Sequence, residues 1–410
     1  MPVFCGIDWA EDHHDVALVD EAGILLASQR ITDDVDGCQH LLELLAQYGD
    51  DSEHPIPIAI ETPRGLLVAC LRAAGRPIYP INPLAVARYR ERHSVARVKS
   101  DKADARLLAN ILRTDRAAHR CLPVDSERAQ AIAVLARAHQ DAIWGRQQLA
   151  NRLRSLLREY YPAFLEAFQH VRPGGLTCSD ARAILAAAPT PTRAATLTRS
   201  QLRAALVRGG RQRNVEAQVK RLQLIFRRGW LHQLPLVEDA LGRQALALLK
   251  QLEAACQAAD ELAEAVAAQF SQHPDAAIIA SFPGLGDLTG ARLLAEIGDD
   301  RTRFLDARGL KAYAGAALVT RASGKSLLVL HRQVKNQRLA AVGYLWSFAA
   351  LRASAGARAH YDQRRASGDR HAAAQRHLFN RFLGCLYHCL QTRQLYAEER
   401  AFPVSLDIAA

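Results

Sequence analysis

The first third of the chain alternates short apolar runs with polar breaks, and this pattern predicts a sheet interleaved with helices. The predicted strands cover residues 3–9, 15–19, 24–27, 57–61 and 77–82, and the predicted helices cover residues 36–47, 64–74 and about 101–113. Elements in the order βββαβαβα are typical of a mixed sheet with helical crossovers. We therefore predict an α/β domain over residues 1–125.

Beyond residue 126 the apolar spacing becomes purely helical. Residues 127–160 and 237–270 carry apolar side chains at steps of three and four, close to a heptad repeat. Two long helices with matching apolar stripes predict an antiparallel pair or a coiled-coil connector over residues 126–272. An Arg-rich insert at about 172–233, which has no clear period, separates the two helices.

Pro274 and Pro283 end the long helical region. The chain after them is predicted to form a mainly helical C-terminal domain over residues 273–391, followed by a tail over residues 392–410. The fold class is therefore α/β plus α.

Charge singles out the middle of the chain. Residues 1–127 carry 14 basic and 20 acidic side chains, residues 128–233 carry 18 and 5, and residues 234–410 carry 21 and 17. A codon preference for Arg would explain why 17 of those 18 basic residues are Arg, but not why carboxylates are scarce. A field of guanidinium groups attracts a polyanion, so this segment is predicted to bind nucleic acid. The candidate contacts are Arg211, Arg213, Arg227 and Arg228.

Composition and hydropathy argue against a membrane or secreted protein. The longest uncharged stretch, residues 339–351, is too short to span a bilayer, and no basic region precedes the first apolar run. The eight cysteines are scattered without a metal-site spacing, so we expect reduced thiols and a cytoplasmic location, with association to the nucleoid when the protein acts.

Four carboxylates occupy positions that suit a metal site. Asp8 and Glu61 stand at the ends of two predicted strands, and Asp101 and Asp104 share one face of the first turn of a predicted helix. Each alone has an ordinary explanation, such as a turn, a solvated strand end or a helix cap. Together they would repel one another unless cations neutralised them, which predicts bound Mg²⁺ acting at phosphorus.

The motifs that contain these acids resemble those of a known family. Gly-Ile-Asp at 6–8, Ala-Ile-Glu-Thr-Pro at 59–63, Ile-Asn-Pro at 81–83 and Lys-Ser-Asp-Lys-Ala-Asp-Ala at 99–105 resemble the DEDD transposases of the IS110 and IS1111 insertion sequences, to which Piv-type DNA invertases are related. The resemblance implies a RuvC-like, RNase H-like fold for the N-terminal domain. It also implies that Asp8, Glu61, Asp101 and Asp104 are the family's four catalytic, metal-binding acids.

A glycine-containing turn opens the predicted C-terminal domain. Gly284 and Gly286 precede a helix, and backbone N–H groups at such a turn could approach a phosphate. The pattern resembles a helix-hairpin-helix element, although an ordinary tight turn between two helices fits equally well.

The string Arg-Ala-Ser-Gly-Lys-Ser at 321–326 resembles the C-terminal transposase domain of the same family. That resemblance implies that Ser323, placed in a polar loop before a flexible glycine, is a nucleophile that attacks DNA. Arg321 and Lys325 would then bind the phosphate oxygens, and Ser326 is a competing candidate within reach.

The resemblance implies a recombinase that excises and inserts an insertion sequence through a phosphoserine link to DNA. It further implies a guide RNA from the element's flank, and the long helices suggest a homodimer or homotetramer. Three alternatives remain open: a RuvC-like junction nuclease that uses water instead of serine, a non-catalytic nucleic-acid-binding relative, and an actin-like sugar kinase, for which phosphate-binding loops are not evident.

Overall fold

The computed structural model describes residues 1–93, 100–168 and 175–403. Residue 99 of the quoted motif, residues 172–174 of the predicted insert and residues 404–410 of the predicted tail lie outside this range. The chain forms two compact units, Met1–Val124 and Asp125–Ala410.

The first unit is a five-stranded mixed sheet covered by helices. Its strands are β1 (Val3–Trp9), β2 (His13–Asp20), β3 (Leu25–Thr32), β4 (Ile58–Ile60) and β5 (Ile78–Pro80), and its helices are α1 (Val35–Gln47), α2 (Leu66–Ala73), α3 (Pro83–His93) and α4 (Asp101–Asp115). The strand order is β3-β2-β1-β4-β5. β1, β2 and β3 pair antiparallel, whereas β1, β4 and β5 pair parallel. The predicted mixed sheet with helical crossovers is confirmed.

Two features of this unit differ from the sequence prediction. The polar stretch expected before α4 contains helix α3, which buries Val86 and Tyr89 three positions apart on its inner face. Cys38 on α1 and Cys70 on α2 are joined as a disulfide, so the prediction that all cysteines are reduced is wrong at this pair. The two helices pack side by side, which brings together residues 32 positions apart in the sequence.

The second unit is mainly helical. Its helices are α5 (Glu127–Tyr160), α6 (Pro162–Phe168), α7 (Ser179–Ala187), α8 (Pro191–Thr196), α9 (Arg199–Arg208), α10 (Val215–Phe226), α11 (Pro235–Ser271), α12 (Ala276–Ala280), α13 (Asp287–Ile297), α14 (Ala307–Tyr313), α15 (Gln337–Ala353), α16 (Ala355–Ala366), α17 (His371–Thr392) and α18 (Glu398–Ala401). Two strands, β6 (Val319–Ser323) and β7 (Ser326–Leu330), form an antiparallel hairpin between α14 and α15. No helix in the described parts of the chain is both long and apolar enough to cross a membrane.

Helices α5 and α11 form the long axis of this unit. They run antiparallel: Arg128 at the start of α5 donates a 3.1 Å hydrogen bond to the carbonyl of Gln272, just after α11 ends. At one end of the pair, helices α6–α10 pack against it around an apolar core. At the other end, helices α12–α17 enclose a second core with Trp346 and Phe382 at its centre. The Arg-rich stretch therefore contains short helices that share a core with the long pair.

Candidate active site

A row of charged side chains crosses four strands at one end of the mixed sheet. In the parallel pairing of β1 with β4, Ile7 lies beside Ile60, so Asp8 and Glu61 follow at the same level. In the antiparallel pairings, Asp8 lies opposite Asp15 on β2, and Asp15 lies opposite Arg30 on β3. The strand register therefore places Asp8 and Glu61 as neighbours, as their positions at strand ends predict.

Gly6 allows helix α4 to lie directly on β1. It stands two residues before Asp8 and so faces the same side of the sheet. A Cβ atom at this position would lie 2.1 Å from the carbonyl oxygen of Ala105 and 2.4 Å from the amide nitrogen of Ala109. Because only glycine fits, the first turn of α4, with Asp101 and Asp104, comes close to the end of β1.

The electrostatics of Asp8 show that these acids converge. Burial is the largest cause that raises the pKa of the Asp8 carboxyl to about 6, and the negative charges of Asp104, Glu61, Asp101 and Asp15 raise it further. The structure thus brings together the four predicted residues Asp8, Glu61, Asp101 and Asp104, which we call the acid cluster. It adds a fifth carboxylate, Asp15, that the sequence analysis did not select.

Two arginines balance part of this negative charge. Arg90 of α3 donates a 2.5 Å hydrogen bond to Asp104, which is only 5% exposed. Arg30 donates two hydrogen bonds to the buried Asp15, at 2.7 and 3.3 Å, and its guanidinium lies 3.6 Å from Asp101. Each acid of the first turn of α4 therefore has an arginine within ion-pair distance.

A compact set of possible metal ligands overlaps this cluster. One ligand atom each from His13, Asp15 and Asp101 lies within 4.8 Å of the other two. Only Asp101 belongs to the four predicted acids. A β1–β2 hairpin with residues 11 and 12 at its centre pairs position 8 with position 15, and this register would have identified Asp15 beforehand.

The donor groups suit a hard divalent cation. Carboxylate oxygens are the ligands that Mg²⁺ prefers, and a single imidazole is compatible with related divalent ions. A bound cation would relieve the repulsion among these carboxylates, which adds to burial in raising the pKa of Asp8. The acid cluster, together with Asp15, could therefore hold a divalent metal ion.

The raised pKa of Asp8 predicts a pH-dependent stability for the metal-free protein. The ionised carboxylate destabilises the fold. This loss of stability is fully present above pH 6, and it fades as the pH falls through 6 towards 3.8, the ordinary pKa of an aspartate. After allowance for solvent screening, we expect the stabilising effect of Asp8→Asn to be about 1 kcal/mol larger at pH 7 than at pH 5. Urea unfolding of both proteins in EDTA measures this difference, and an equal effect at the two pH values would contradict it.

Ser323 lies at the tip of the β6–β7 hairpin instead of in the polar loop that the sequence predicts. It is the last residue of β6 and pairs with Ser326, the first residue of β7. Gly324 and Lys325 form the two-residue turn, and the positive φ of Gly324, 57°, is typical of glycine at the first position of such a turn. Ser323 and Lys325 are exposed.

Strand alternation determines which groups accompany Ser323. Arg321 precedes Ser323 by two residues and so lies on the same face of the hairpin, and it is exposed. Ser326 is the cross-strand partner of Ser323 and therefore faces the same side of the hairpin. The hairpin therefore presents two hydroxyl groups and a guanidinium together, with the Lys325 ammonium at the turn.

The two glycines of the predicted phosphate-binding turn have different surroundings. A Cβ atom on Gly284, whose φ is 81°, would lie 2.6 Å from the amide nitrogen of Ala350, so this glycine lets the turn pack against α15. Gly286 is the N-cap of α13, and nothing lies within 4 Å of the position where its Cβ would be. Only Gly286 thus has open space for an approaching phosphate.

The four arginines selected in the middle segment fall into two classes. Arg211 donates a 2.6 Å hydrogen bond to Asp180. Arg228 pairs with Glu166 at 2.5 Å and stacks 4.3 Å above the Trp230 ring. Arg213 and Arg227, in contrast, are exposed without an ion pair among the described residues, and Arg227 donates a long 3.5 Å hydrogen bond to a backbone carbonyl.

Comparisons with known proteins agree with the motifs. Residues 5–162 match the transposase family DEDD_Tnp_IS110, and residues 276–362 match the transposase family IS116/IS110/IS902. A Streptomyces coelicolor protein assigned as the mini-circle transposase for IS117 is 64% identical over 410 residues, covering 100% of this chain and 99% of its own.

More distant relatives span nearly the whole length as well. A 43.6 kDa protein of insertion element IS110 from Streptomyces coelicolor is 26% identical over 100% of this chain and 98% of its own. Among solved structures, Thermus thermophilus RuvC in complex with a Holliday junction substrate is similar at 18% identity over 30% of this chain and 100% of its own, with a TM-score of 0.23. The two family matches and the 64% identical relative show that the chain belongs to the IS110/IS116 family of transposases, which are DNA-cleaving and DNA-recombining enzymes.

Proposed function

We propose that this transposase excises and inserts an insertion sequence by joining DNA transiently to Ser323. In this proposal the acid cluster Asp8, Glu61, Asp101 and Asp104 holds Mg²⁺ in the first unit, and the hairpin presents the nucleophile in the second. The observation that carries it is the convergence of four negatively charged neighbours on a partly buried carboxylate: burial first, and then these charges, raise the pKa of Asp8 to about 6. A cluster of this kind is costly unless a cation occupies it.

The chemical step follows from the groups present. The Oγ atom of Ser323 forms a bond to the scissile phosphorus, and the bond from phosphorus to the 3′ oxygen breaks. The hydroxyl proton leaves to solvent, and the departing 3′ oxygen takes up a proton to become a free 3′-hydroxyl. Because one phosphate ester replaces another, rejoining needs no ATP. Mg²⁺, when bound by the acids, supplies charge neutralisation at the attacked phosphate and the leaving oxygen.

Arg321 and Lys325 have a positioning role in this step. Both are exposed and lie within two residues of Ser323, and Arg321 shares its face of the hairpin. A guanidinium and an ammonium at these places would bind the non-bridging phosphate oxygens and orient the phosphorus for attack. Gly286, at the open N-terminus of α13, offers a further contact to the DNA backbone.

The basic segment, residues 128–233, is the proposed binding surface for a guide RNA and for DNA. It carries 18 basic and 5 acidic side chains, and Arg213 and Arg227, which flank helix α10, are exposed. A folded surface of this charge suits a structured polyanion.

We further propose that the active form is a homodimer or homotetramer. Light scattering on the purified protein measures this oligomeric state directly.

The salt dependence of RNA binding tests the role of the basic segment. Changing both Arg213 and Arg227 to Gln is expected to reduce the slope of log affinity against log salt by about 1.5, because each lost phosphate contact releases one counterion less. Arg228→Gln is the matched control and should change the slope less, since Glu166 already pairs with Arg228. Filter binding of RNA from the element's flank between low and high salt gives the slopes, and equal slopes for wild type and double variant would contradict this assignment.

Strand cleavage of the element junction tests the proposed function. The protein, expressed together with its flanking DNA, should cleave and join junction DNA in Mg²⁺ and fail to do so in EDTA. Metal-dependent nicking without a protein–DNA link would instead favour a RuvC-like nuclease that activates water. Equal activity in EDTA would rule out the metal role of the acid cluster.

A further inference from the structure

A cavity of about 170 Å³ lies in the second unit, at the base of the β6–β7 hairpin. Helices α15 and α17 form its walls, and the chain segments that flank the hairpin close it. Its polar and aromatic lining consists of His331, Lys335, Tyr344, Gln375, Arg376 and Phe379. We propose that this cavity binds an unstacked nucleobase of the DNA strand that Ser323 attacks, a proposal that rests on the proposed function.

Gln375 is the observation that points to a ligand. Its side chain is only 2% exposed, yet neither its amide nitrogen nor its amide oxygen has a hydrogen-bond partner among the described residues. The Nε atom of the neighbouring Arg376 is also buried and unpartnered within the described chain. Buried polar groups without partners cost stability, and Gln375 is the one residue in the described parts of the chain for which two such side-chain atoms occur. This indicates that a polar ligand completes the site.

Two aromatic rings line the cavity, and one of them packs against a glycine. The buried ring of Phe379 lies so close to Gly343 that a Cβ there would be 2.3 Å from the Cε1 atom of the ring. Tyr344, at the rim, is 54% exposed. A flat heteroaromatic ring could therefore lie against Phe379 at depth, with Tyr344 near the opening.

Nitrogen-bearing side chains line the same cavity. The side chain of Lys335 lies on Gly315, where a Cβ would come within 2.2 Å of the lysine Cδ. His331 is exposed and directly follows β7. Together with the guanidinium of Arg376, these groups suit the phosphate of a nucleotide whose base is inside.

A nucleobase matches this lining better than other flat ligands. The Gln375 amide offers one donor and one acceptor side by side, which pairs with the donor–acceptor edge of adenine. A dry engineered cavity of about 150 Å³ holds benzene, so the present volume accommodates a base ring.

The position of the cavity favours DNA over RNA as the source of the base. β7 leads in five residues from the turn beside Ser323 to Leu330, and His331 at the cavity follows at once. Five residues of a strand span about 16 Å, so a base in the cavity belongs a few nucleotides from the phosphate that Ser323 attacks.

Binding of short single strands by the full-length protein tests the proposal. The probes are a fluorescein-labelled deoxyadenosine decamer, an abasic decamer with the same backbone, and an adenosine RNA decamer. Wild type is expected to bind the DNA decamer about tenfold more tightly than the abasic one. Gln375→Leu should lose this preference without a lower unfolding temperature, because it removes an unpaired amide at nearly constant volume.

Control variants keep the test decisive. Gln391→Leu makes the same change on the exposed part of α17 and should retain the base preference. Ser323→Ala should retain it as well, so a failure of this variant in strand joining can be distinguished from a loss of base binding. Tyr344→Ala, at an exposed position, should reduce the preference even if Gln375→Leu fails to fold. No base preference in wild type, or a preference that survives both cavity variants, would overturn the proposal. A preference confined to the RNA decamer would overturn the assignment to DNA.

Discussion

Replacing Asp8 with Asn is expected to abolish strand cleavage and, in the same protein, to raise the unfolding temperature of the metal-free form. The change removes one charge from a site where four other carboxylates repel it, so the fold gains stability. It also removes a proposed metal ligand, and loss of about 4 kcal/mol of charge stabilisation at the transition state corresponds to about a thousandfold slower cleavage.

Asp104→Asn separates the metal role from a general loss of structure. This variant should also lose cleavage about a thousandfold, but its metal-free form should gain less stability than that of Asp8→Asn, because Arg90 loses its charged partner while the repulsion on Asp8 is relieved. Differential scanning fluorimetry in EDTA gives the two stability changes, and junction cleavage in Mg²⁺ gives the two activities. Full cleavage by either variant, or a gain in stability for Asp104→Asn as large as that for Asp8→Asn, would contradict the proposed arrangement of the acid cluster.

Ser323→Ala is expected to eliminate the covalent protein–DNA species altogether. The hydroxyl oxygen is the atom that forms the phosphate ester, and alanine offers none. Ser326→Ala is the matched control, since Ser326 lies directly opposite on the same face of the hairpin and is equally exposed. It should retain the species on a denaturing gel.

The hairpin variants also distinguish the two nuclease mechanisms. Strand nicking that survives Ser323→Ala at the wild-type rate would assign the chemistry to water activated at the acid cluster. Loss of the species in Ser326→Ala alone would move the nucleophile to the second hydroxyl. Because both serines are exposed at the tip of the hairpin, neither change should alter the free energy of unfolding by more than about 0.5 kcal/mol.

Strong local signals in the sequence were sufficient to predict several elements. The bounds of α5 agree residue by residue, because Ser126 caps its first turn and Tyr160 is followed by the break at Pro162. Strand β1 agrees as well, since an apolar run bounded by polar residues has one simple interpretation. Asp8, at the end of this run, could therefore be placed at a strand end, whereas its position beside Glu61 depends on the pairing of β1 with β4.

Other elements depend on information that local sequence does not contain. The strand at 326–330 lacks the alternation that marks a half-buried strand, because residues 327–330 form an unbroken apolar run, although Leu327, Leu328 and Val329 are exposed in the structure. Among the side chains of helix α3 that the structure describes, two large ones, Val86 and Tyr89, are buried, which gives a weak helical period.

Contacts between strands and between helices were also beyond sequence reasoning. The Arg30–Asp15 pair requires the register of β2 against β3. The Cys38–Cys70 pair requires that α1 and α2 lie side by side. The unpartnered amide of Gln375 becomes evident only when its burial and its lack of partners among the described residues are known together.

Peptide mapping of the protein–DNA species tests the central claim most directly. Trypsin cuts after Arg321 and Lys325, so Ser323 and Ser326 fall in different peptides, residues 322–325 and 326–332. After nuclease treatment, mass spectrometry should find a nucleotide linked through phosphate to the first peptide and unmodified second peptide. A nucleotide on the second peptide, or on neither peptide while DNA is cleaved in Mg²⁺, would contradict the assignment of Ser323 as the nucleophile.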